Sequence, residues 1–453
     1  MNLPNFFLAD LPPDAVLSPE MIRDACQTLK RNRERYLLPR STQSIVKVLC
    51  ELAQSWLEPQ YPIRQLVLKQ GPQATGFSAE TLASGLDDLF SAFTNEDFHA
   101  FLIQEFGHWQ RFEGLQANQE EQRANRASAV RGPELLVHFA GGSLPNPPLM
   151  SIVLGLLSRS AQFVKCASGQ AFLPRMFAHS LYDAEPKLGA CLEIAEWRGG
   201  TDLLERELFS EADCVTATGS DETLGAIKAR LPARVRFLGY GHKVSFGYIA
   251  HDALTRTGLQ KLIARAAHDV VAWNQLGCLS PHLIYVENGG GVSPEQFAEL
   301  LARELEAREA THPRGKLSDQ EAAAIASRRA FYEVRAAHSP ETKIWCSSGS
   351  TAWTVVFESD PQFQRSCLNR FVYVKAVSDL DQVFQAADAV CGKVSTVGLA
   401  APEDRAHELA NRLARWGVSR ICSLGKMQSP PLTWRHDGRP ALGDLVSWTD
   451  WEM

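Results

Sequence analysis

The run CVTATGSDETLGAIKAR, residues 214–230, decides which fold the sequence predicts. It opens with an apolar β-type segment, turns through small residues, and continues as a helical pattern. The same alternation begins near Leu135, and the predicted strands are residues 135–139, 163–164, 190–194, 214–217 and 235–238. Because helical patterns such as 147–157 and 222–230 separate these strands, the sequence predicts a parallel α/β sheet.

The regions before and after this α/β segment have different patterns of apolar residues. Residues 18–116 carry apolar side chains at helical spacing, which predicts a helical lead-in. A second α/β region begins near Gly258, and its predicted strands are residues 283–286, 354–357 and 371–374. Ser293, Pro294 and Gln296 predict a helix start in this region, with Ser at the N-cap, Pro at N1 and Gln at N3.

The composition excludes several classes of protein. The 453 residues are 45% hydrophobic and 22% charged, which is typical of a chain of two or three globular domains. The formal charge of −6 makes nucleic acid and anionic lipid poor partners. The longest mainly apolar stretch, 149–157, is too short to span a membrane, and the N-terminus lacks the basic region of a secretory signal. We therefore expect a cytoplasmic protein.

Cys278 is the cysteine whose sequence neighbours favour a role as a catalytic nucleophile. The ten cysteines include no C-x-x-C pair, so the usual zinc spacing is absent and no metal is expected. In a reducing compartment they should be free thiols. Pro281 is well placed to begin a helix just after Cys278. Backbone N–H groups at such a helix start would favour the thiolate and offer an oxyanion site. The alternative is a buried Cys beside Gly277.

Two further segments join predicted strands to helices. Asn146 stands between two prolines after the first predicted strand, and its amide suits a developing oxyanion, although it could simply turn the chain. Lys165 lies at the carboxyl end of the next strand, where open α/β sheets bind ligands. Thr218, Gly219 and Ser220 form a turn that could present backbone donors to a diphosphate or simply cap the following helix.

Two histidines are candidates for proton transfer. His242 follows the predicted strand 235–238 and could donate a proton, although a lone histidine is more often structural. His282 lies four residues after Cys278, but Pro281 and the following strand argue against a continuous helix that would pair the two. The sequence therefore assigns neither histidine a role.

The order of these segments resembles the aldehyde dehydrogenase superfamily. LPNPP at 144–148 is similar to that superfamily's Pro-Trp-Asn-Phe-Pro loop, whose Asn belongs to the oxyanion hole. FVKCAS at 163–168 resembles its Leu-Lys-Pro-Ser beside the adenosine ribose, and TGS at 218–220 resembles its Thr-Gly-Ser beside the diphosphate. QLGC at 275–278, with the strand after it, matches the nucleophile. The resemblance implies two catalytic residues and five cofactor contacts, which are Cys278 and Asn146, and Lys165, Ser168, Thr218, Gly219 and Ser220.

Within the superfamily the chain is most similar to the fatty acyl-CoA reductases of bacterial luminescence, the LuxC family. PPLTWRHDGRP at 430–440, with LVSW at 445–448, resembles that family's ending. The likeness covers residues 130–453 and implies an aldehyde dehydrogenase-like α/β fold. The domains expected from it are a helical lead-in plus nicotinamide-cofactor-binding domain at 1–257, a catalytic domain with Cys278 at 258–430, and a C-terminal tail at 431–453.

Two departures from the superfamily pattern bear on the chemistry. FLGYG at 237–241 stands where hydrolytic aldehyde dehydrogenases have Glu-Leu-Gly-Gly-Lys, so the carboxylate that activates water is missing from this segment. An acyl-cysteine would then exchange with a thiol in preference to hydrolysing. A clear Glu-x-Phe-Gly-Pro segment is also absent, and FESDP at 357–361 is the nearest candidate for the nicotinamide ribose contact.

The resemblance implies a two-step reduction of an acyl thioester. Cys278 would attack acyl-CoA or an acyl-carrier protein, Asn146 and the Cys278 N–H would hold the oxyanion, and hydride from the cofactor would release an aldehyde. Lys165 would tolerate a 2′-phosphate, which favours NADPH over NADH. The alternatives are a non-redox acyltransferase with the same acyl-cysteine and a non-catalytic binding member of the family. An acyl-protein synthetase could be a partner, and the superfamily implies a homo-oligomer.

Overall fold

The computed structural model describes residues 3–12, 14–141, 144 and 146–452. The chain divides into two compact units. The first unit comprises Met1–Thr75, Leu86–Gly241 and Pro431–Met453, and the second comprises Gly76–Gly85 and His242–Pro430. Each unit contains its own parallel or mainly parallel sheet, so each is an α/β unit.

The predicted helical lead-in is confirmed. Its helices are Pro19–Asn32, Thr42–Leu57, Pro62–Thr75, Ala79–Phe90 and Asn95–Phe106. Ser18, Ser41 and Thr94 begin three of them, because each side chain accepts a hydrogen bond from a backbone N–H of the first turn. Gly107 ends the last helix with a φ of 70°, a conformation that glycine adopts without strain.

A parallel sheet of five strands forms the centre of the first unit. From one edge to the other its strands are Leu192–Glu196, Ala161–Cys166, Leu135–Ala140, Cys214–Thr218 and Arg236–Tyr240. The main connecting helices are Asn146–Leu157, Phe172–Ala184, Asp202–Glu211 and Asp221–Arg230. The strands are the five that the sequence predicts, and the parallel α/β fold is confirmed.

The strand order creates a switch point at the carboxyl edge of this sheet. The chain builds outward from Leu135–Ala140 in one direction and then crosses back to place Cys214–Thr218 on the other side. Open α/β sheets bind ligands where the order reverses in this way. Gly141 lets the two strand ends approach, since a Cβ on it would lie only 2.1 Å from the Thr218 carbonyl oxygen.

A sheet of seven strands forms the centre of the second unit. In spatial order its strands are Arg420–Ser423, Val394–Ala400, Val244–Ile249, Pro281–Glu287, Phe371–Val377, Thr354–Glu358 and Thr342–Cys346. Neighbouring strands are parallel except for the last pair, which is antiparallel. Pro281–Glu287 is buried on both faces, with Ile284 and Val286 in one apolar cluster and Leu283 and Tyr285 in the other. This burial explains its nearly continuous apolar sequence.

Helices flank the second sheet as the sequence predicts. The longer ones are Leu259–Val271, Pro294–Thr311, Asp319–His338 and Glu403–Arg415. The helix start predicted at Ser293 is confirmed, because Ser293 Oγ accepts from Gln296 N and the Gln296 side chain accepts from Ser293 N. Among the residues described, no helix has both the length and the apolar character needed to cross a membrane.

The two units differ from the expected domains in two places. The division falls after Gly241 instead of after residue 257, because Val244–Ile249 pairs with two strands of the seven-stranded sheet. The C-terminal segment is part of the first unit, because Ser447–Glu452 pairs antiparallel with Arg126–Arg131. The assignment of cofactor binding and catalysis to separate domains stays a prediction.

Candidate active site

Cys278 is an exposed thiol in otherwise buried surroundings. Of the ten cysteines, five are buried, three are half-buried, and only Cys278 and Cys391 are exposed. The residues on either side of Cys278, Gly277 and Leu279, are both buried. Burial raises the pKa of thiols such as Cys166 to about 12, which makes them poor nucleophiles. Solvent access therefore separates Cys278 from most of the other cysteines.

The prediction that Cys278 stands at a helix start is wrong. Cys278 lies in a turn, Gly277 to Ser280, that leads directly into the strand Pro281–Glu287. Pro281 suits this position because the first residue of a strand can lack a backbone N–H. No helix N-terminus is therefore available at this point to favour the thiolate.

Side chains from elsewhere in the second unit hold this turn. Ser245 Oγ donates to the Cys278 carbonyl oxygen at 2.7 Å, and Gln428 Nε2 donates to Ser280 Oγ at 2.5 Å. Within the turn, Ser280 N donates to the Gly277 carbonyl oxygen at 2.9 Å. The backbone on both sides of the sulfur is thus fixed while the thiol itself remains accessible.

The segment before the turn has an unusual backbone that the sequence did not reveal. Trp273, Asn274 and Gln275 have φ of 51°, 52° and 64°, in the left-handed region that glycine favours. Gln275 Nε2 donates to the carbonyl oxygens of Pro281 at 2.7 Å and Phe371 at 3.0 Å. Trp273 is buried, with its ring 5.2 Å from the ring of Phe77. Residues distant in sequence therefore determine this conformation.

His282 is a buried, neutral histidine close to the turn. Its Nδ1 accepts a hydrogen bond from Ser366 N at 3.1 Å, which leaves the ring proton on Nε2. Burial lowers the pKa of His282 to about 4, and the nearby charges of His242 and Arg365 act in the same direction. The prediction that no continuous helix joins Cys278 to His282 is confirmed, because His282 lies in the strand. His242 is exposed.

The strand arrangement argues against Glu358 as the ribose contact. Cys278 precedes the amino end of Pro281–Glu287, whereas Glu358 ends Thr354–Glu358 at the opposite, carboxyl edge of the same sheet. A five-residue strand spans roughly 13 Å between these edges. The Glu358 carboxylate is buried and bound by Lys375 at 2.6 Å and Arg335 at 3.3 Å. The FESDP segment is therefore a poor counterpart of Glu-x-Phe-Gly-Pro.

The predicted cofactor residues lie at the carboxyl edge of the five-stranded sheet. Thr218 is the last residue of its strand, and Ser220 caps the helix Asp221–Arg230 by accepting from Thr223 N at 3.3 Å. Gly219 N donates to the Tyr240 carbonyl oxygen at 3.3 Å. The capping role considered for this turn is thus observed, and it leaves diphosphate binding as a prediction.

Lys165 is buried at the end of its strand. Its Nζ lies 5.6 Å from the ring centroid of Phe139 and 5.7 Å from that of Trp197. Burial lowers the pKa of Lys165, while Glu205 favours the charged form. Among the residues described, the ammonium has no hydrogen-bond or ion-pair partner, and the groups that favour its charge are the two aromatic faces and the more distant carboxylates of Glu205 and Glu196.

Two carboxylates near the carboxyl edge of the five-stranded sheet are not predicted from the sequence. Glu196, at the end of the neighbouring strand, accepts from Gly169 N at 2.6 Å and Ala171 N at 3.2 Å, and so closes the turn that carries exposed Ser168. Asp221 Oδ1 lies 2.7 Å from where a Cβ of Gly241 would stand. The segment 237–241 contains no carboxylate, but the fold brings one beside it. Neither acid has a motif that would reveal this placement.

Asn146 begins the helix Asn146–Leu157 and is half-buried. The two flanking prolines predict a stiff loop around Asn146, and three residues of that loop, Gly142, Ser143 and Pro145, lie outside the described residues. Asn146 belongs to the first unit together with the cofactor candidates, and Cys278 belongs to the second. No group of three or more His, Cys, Asp or Glu within the described ranges could hold a metal ion.

Comparison with known proteins gives one family and one fold. The family model described as acyl-CoA reductase (LuxC) matches residues 37–448. A long-chain acyl-protein thioester reductase of Vibrio harveyi is 25% identical over 323 residues, which are 70% of this chain and 64% of that protein. The match thus spans slightly less than two thirds of that relative.

Solved structures with this fold are aldehyde dehydrogenases. The NADP-dependent glyceraldehyde-3-phosphate dehydrogenase of Bacillus halodurans C-125, complexed with NADP, superposes with a TM-score of 0.71 at 12% identity, covering 96% of this chain and 92% of that one. An Anabaena variabilis protein assigned as the aldehyde dehydrogenase PutA gives 0.68 at 14% identity, covering 96% and 93%. The chain therefore has the aldehyde dehydrogenase fold.

Proposed function

The chain belongs to the LuxC family of acyl-CoA reductases, and we propose that it reduces an acyl thioester to the corresponding aldehyde. The observation that carries the proposal is the exposed Cys278 thiol, held at the amino end of a central strand. The name of the Vibrio harveyi relative supports a protein-bound acyl donor, and the family description supports acyl-CoA. Both donors present the same thioester to the enzyme.

In the first step the Cys278 thiolate attacks the thioester carbonyl carbon. A carbon–sulfur bond to Cys278 forms, the oxyanion collapses, the original carbon–sulfur bond breaks, and CoA or the carrier protein leaves as its thiolate. Asn146 and the Cys278 backbone N–H are the proposed donors to the oxyanion. The hydrogen bond from Ser245 to the Cys278 carbonyl supports this role, because it holds the backbone next to the sulfur in place.

The carboxyl edge of the five-stranded sheet suits a nicotinamide dinucleotide. The Lys165 side chain is largely buried and its ammonium has no hydrogen-bond partner among the described residues, so an oxygen of the cofactor would supply one. We infer that Lys165, Ser168, Thr218, Gly219 and Ser220 hold NADPH, with Lys165 beside the 2′-phosphate. The nicotinamide, when bound, would supply the hydride that converts the acyl group to the aldehyde.

The homo-oligomer and the partners expected from the resemblance are part of the proposal. Every residue of the strand Ser447–Glu452 is exposed, and Trp448 and Trp451 are 45% and 49% exposed. Large exposed aromatic side chains are typical of protein interfaces, so this strand is our candidate for self-association. An acyl-protein synthetase that supplies the activated acyl group would suit a protein-bound donor.

A spectrophotometric assay tests the proposed function. Purified protein is mixed with a long-chain acyl-CoA and either NADPH or NADH, and the loss of absorbance and the products are followed. We expect aldehyde formation with NADPH faster than with NADH, and at least a thousandfold slower turnover in Cys278→Ala, since removal of a catalytic nucleophile has effects of this order or larger.

The products of the same assay separate the rival reactions. Acyl transfer to an added amine or alcohol without loss of NADPH would assign the chain to acyltransferases. Free acid as the main product would assign it to hydrolysis. Aldehyde formation independent of Cys278 would contradict the acyl-cysteine mechanism.

A further inference from the structure

Two left-handed backbone runs stand out in the second unit. Nine non-glycine residues of the described chain have positive φ, and six of them fall in two runs, Trp273 to Gln275 and Leu368 to Arg370. The second run has φ of 64°, 55° and 65°. Apart from Asn and Asp, non-glycine residues adopt this conformation rarely, and consecutive left-handed residues need support from the surrounding structure; such strain concentrates at functional sites. The contacts that impose it here are therefore informative.

Side-chain hydrogen bonds tie the two runs together. Arg370 donates to Asn274 Oδ1 from both Nε, at 3.1 Å, and Nη2, at 2.8 Å. Gln275 Nε2 donates to the carbonyl oxygen of Phe371, the residue after the second run, and to that of Pro281. The contacts at Asn274 and Pro281 lie on either side of Cys278. The run before the thiol is thus anchored to the run before the neighbouring strand.

Arg370 is itself rigidly held. Its side chain is 1% exposed, and Nη1 donates to Glu309 Oε2 at 2.8 Å and to the His312 carbonyl oxygen at 2.8 Å. Glu309 belongs to the helix Pro294–Thr311, and His312 directly follows it. The planar guanidinium therefore links the end of this helix to Asn274 with a fixed direction, which a lysine could not reproduce.

We propose that Arg370 is a positioning residue for Cys278, acting through the Asn274 side chain to hold the backbone that keeps the thiol exposed between buried Gly277 and Leu279. Because this role is exerted through Asn274 and the backbone, Arg370 is a positioning residue and not a catalytic residue. The importance of the thiol rests on the proposed function, whereas the positioning by Arg370 rests on the contacts alone. Loss of the contact lets the turn relax and turns the sulfur toward its buried neighbours.

Alkylation of Cys278 by iodoacetamide tests the proposal without reference to turnover. Peptide mass spectrometry gives the rate at Cys278 relative to exposed Cys391, which serves as an internal reference in the same molecule. Arg370→Lys keeps the positive charge but loses the paired Nε and Nη2 donors of the guanidinium. Asn274→Gly keeps the left-handed backbone but loses the Oδ1 acceptor. Asn274→Asp retains an acceptor oxygen and serves as the rescue variant. Glu309→Gln is the matched control, because it removes the charge of the ion pair but keeps an acceptor oxygen for Arg370 Nη1, on the side away from Asn274.

We expect Arg370→Lys and Asn274→Gly each to slow Cys278 alkylation by about tenfold or more, because small displacements of a reacting group carry costs of this size. The double variant should be no slower than the slower single variant, since both remove one interaction. Asn274→Asp should retain most of the rate, and Glu309→Gln should stay within about twofold even where its thermal midpoint falls.

The outcomes distinguish positioning from general support of the fold. Unchanged alkylation in Asn274→Gly and Arg370→Lys overturns the proposal, and so does an equal loss in Glu309→Gln, which would make the role of Arg370 merely structural. Reductase activity that persists in Cys278→Ala would overturn the proposed function but not the positioning. Should Arg370→Lys fail to fold, the comparison of Asn274→Gly with Asn274→Asp decides the matter.

Discussion

At the scale of single residues, the order of motifs singles out Cys278, but its local structure could not be predicted from its neighbours. Pro281 suits the first position of a helix and the first position of a strand equally well, and the structure uses it for the strand. The left-handed run before the thiol depends on hydrogen bonds with Arg370 and Phe371, which lie almost a hundred residues later. No local pattern carries such information.

Asn146 offers a test of the proposed oxyanion site. Replacing it with alanine removes one hydrogen-bond donor from the transition state, and loss of a single such donor elsewhere slows chemistry by about 10²–10³. We expect Asn146→Ala to lower kcat by this factor with little change in the KM for NADPH. Asn146 also begins a helix, so thermal unfolding serves as the control. Wild-type turnover in a folded Asn146→Ala enzyme would refute its role.

At the scale of elements, the sequence predicts where the strands lie. It does not predict which sheet each strand joins or which side chains pack around it. The sequence predicts all five strands of the first sheet, because most of them are buried parallel strands and therefore short apolar runs. The unit boundary after Gly241 was missed because Val244–Ile249 looks like any buried strand, and only its pairing with Pro281–Glu287 reveals its sheet. For Lys165 the sequence predicts the position near the end of its strand. It does not predict the two aromatic rings that the ammonium lies over, because Phe139 and Trp197 belong to other parts of the chain.

The edge strand Leu192–Glu196 provides a pH-dependent test of the fold. Glu193 Oε1 accepts from Leu8 N at 2.7 Å and from Ile194 N at 3.0 Å, and burial raises the pKa of Glu193 to about 8. The raised pKa means that the folded protein binds this proton more tightly than the unfolded chain. The resulting contribution to stability is complete below the ordinary pKa of about 4.5 and is lost as the pH rises toward 8.

Glu193→Gln should therefore gain stability relative to the wild type as the pH rises from 5 to 8. The gain should not exceed ~1.4 kcal/mol per pH unit, the limit for one proton. Thermal or urea unfolding of both proteins across this range measures it. Asp269, whose pKa burial raises to about 7, affects both proteins equally, so it cancels in the difference. Parallel stability curves for the two proteins would show that Glu193 does not titrate as described.

At the scale of the whole molecule, self-association is expected to depend on the strand Ser447–Glu452. Trp451 is 49% exposed, and burying such a ring against a second copy would remove apolar surface from water. We expect sedimentation velocity to show a dimer or larger assembly, and Trp451→Ser to shift it toward monomer. Leu203→Ser is the control, because Leu203 is 66% exposed on a different element, the helix Asp202–Glu211. A monomeric wild type, or equal dissociation in the control, would contradict this assignment.

The central claim is that an acyl group is carried on the sulfur of Cys278. Intact-mass analysis after exposure to a long-chain acyl-CoA, without nicotinamide cofactor, should show one added acyl group per chain, and peptide mapping should place it on Cys278. NADPH should then discharge it as aldehyde, and Cys278→Ser should take up no thioester-linked label. Turnover of acyl-CoA to aldehyde with no acylated intermediate, or with the label on another cysteine such as exposed Cys391, would contradict the account.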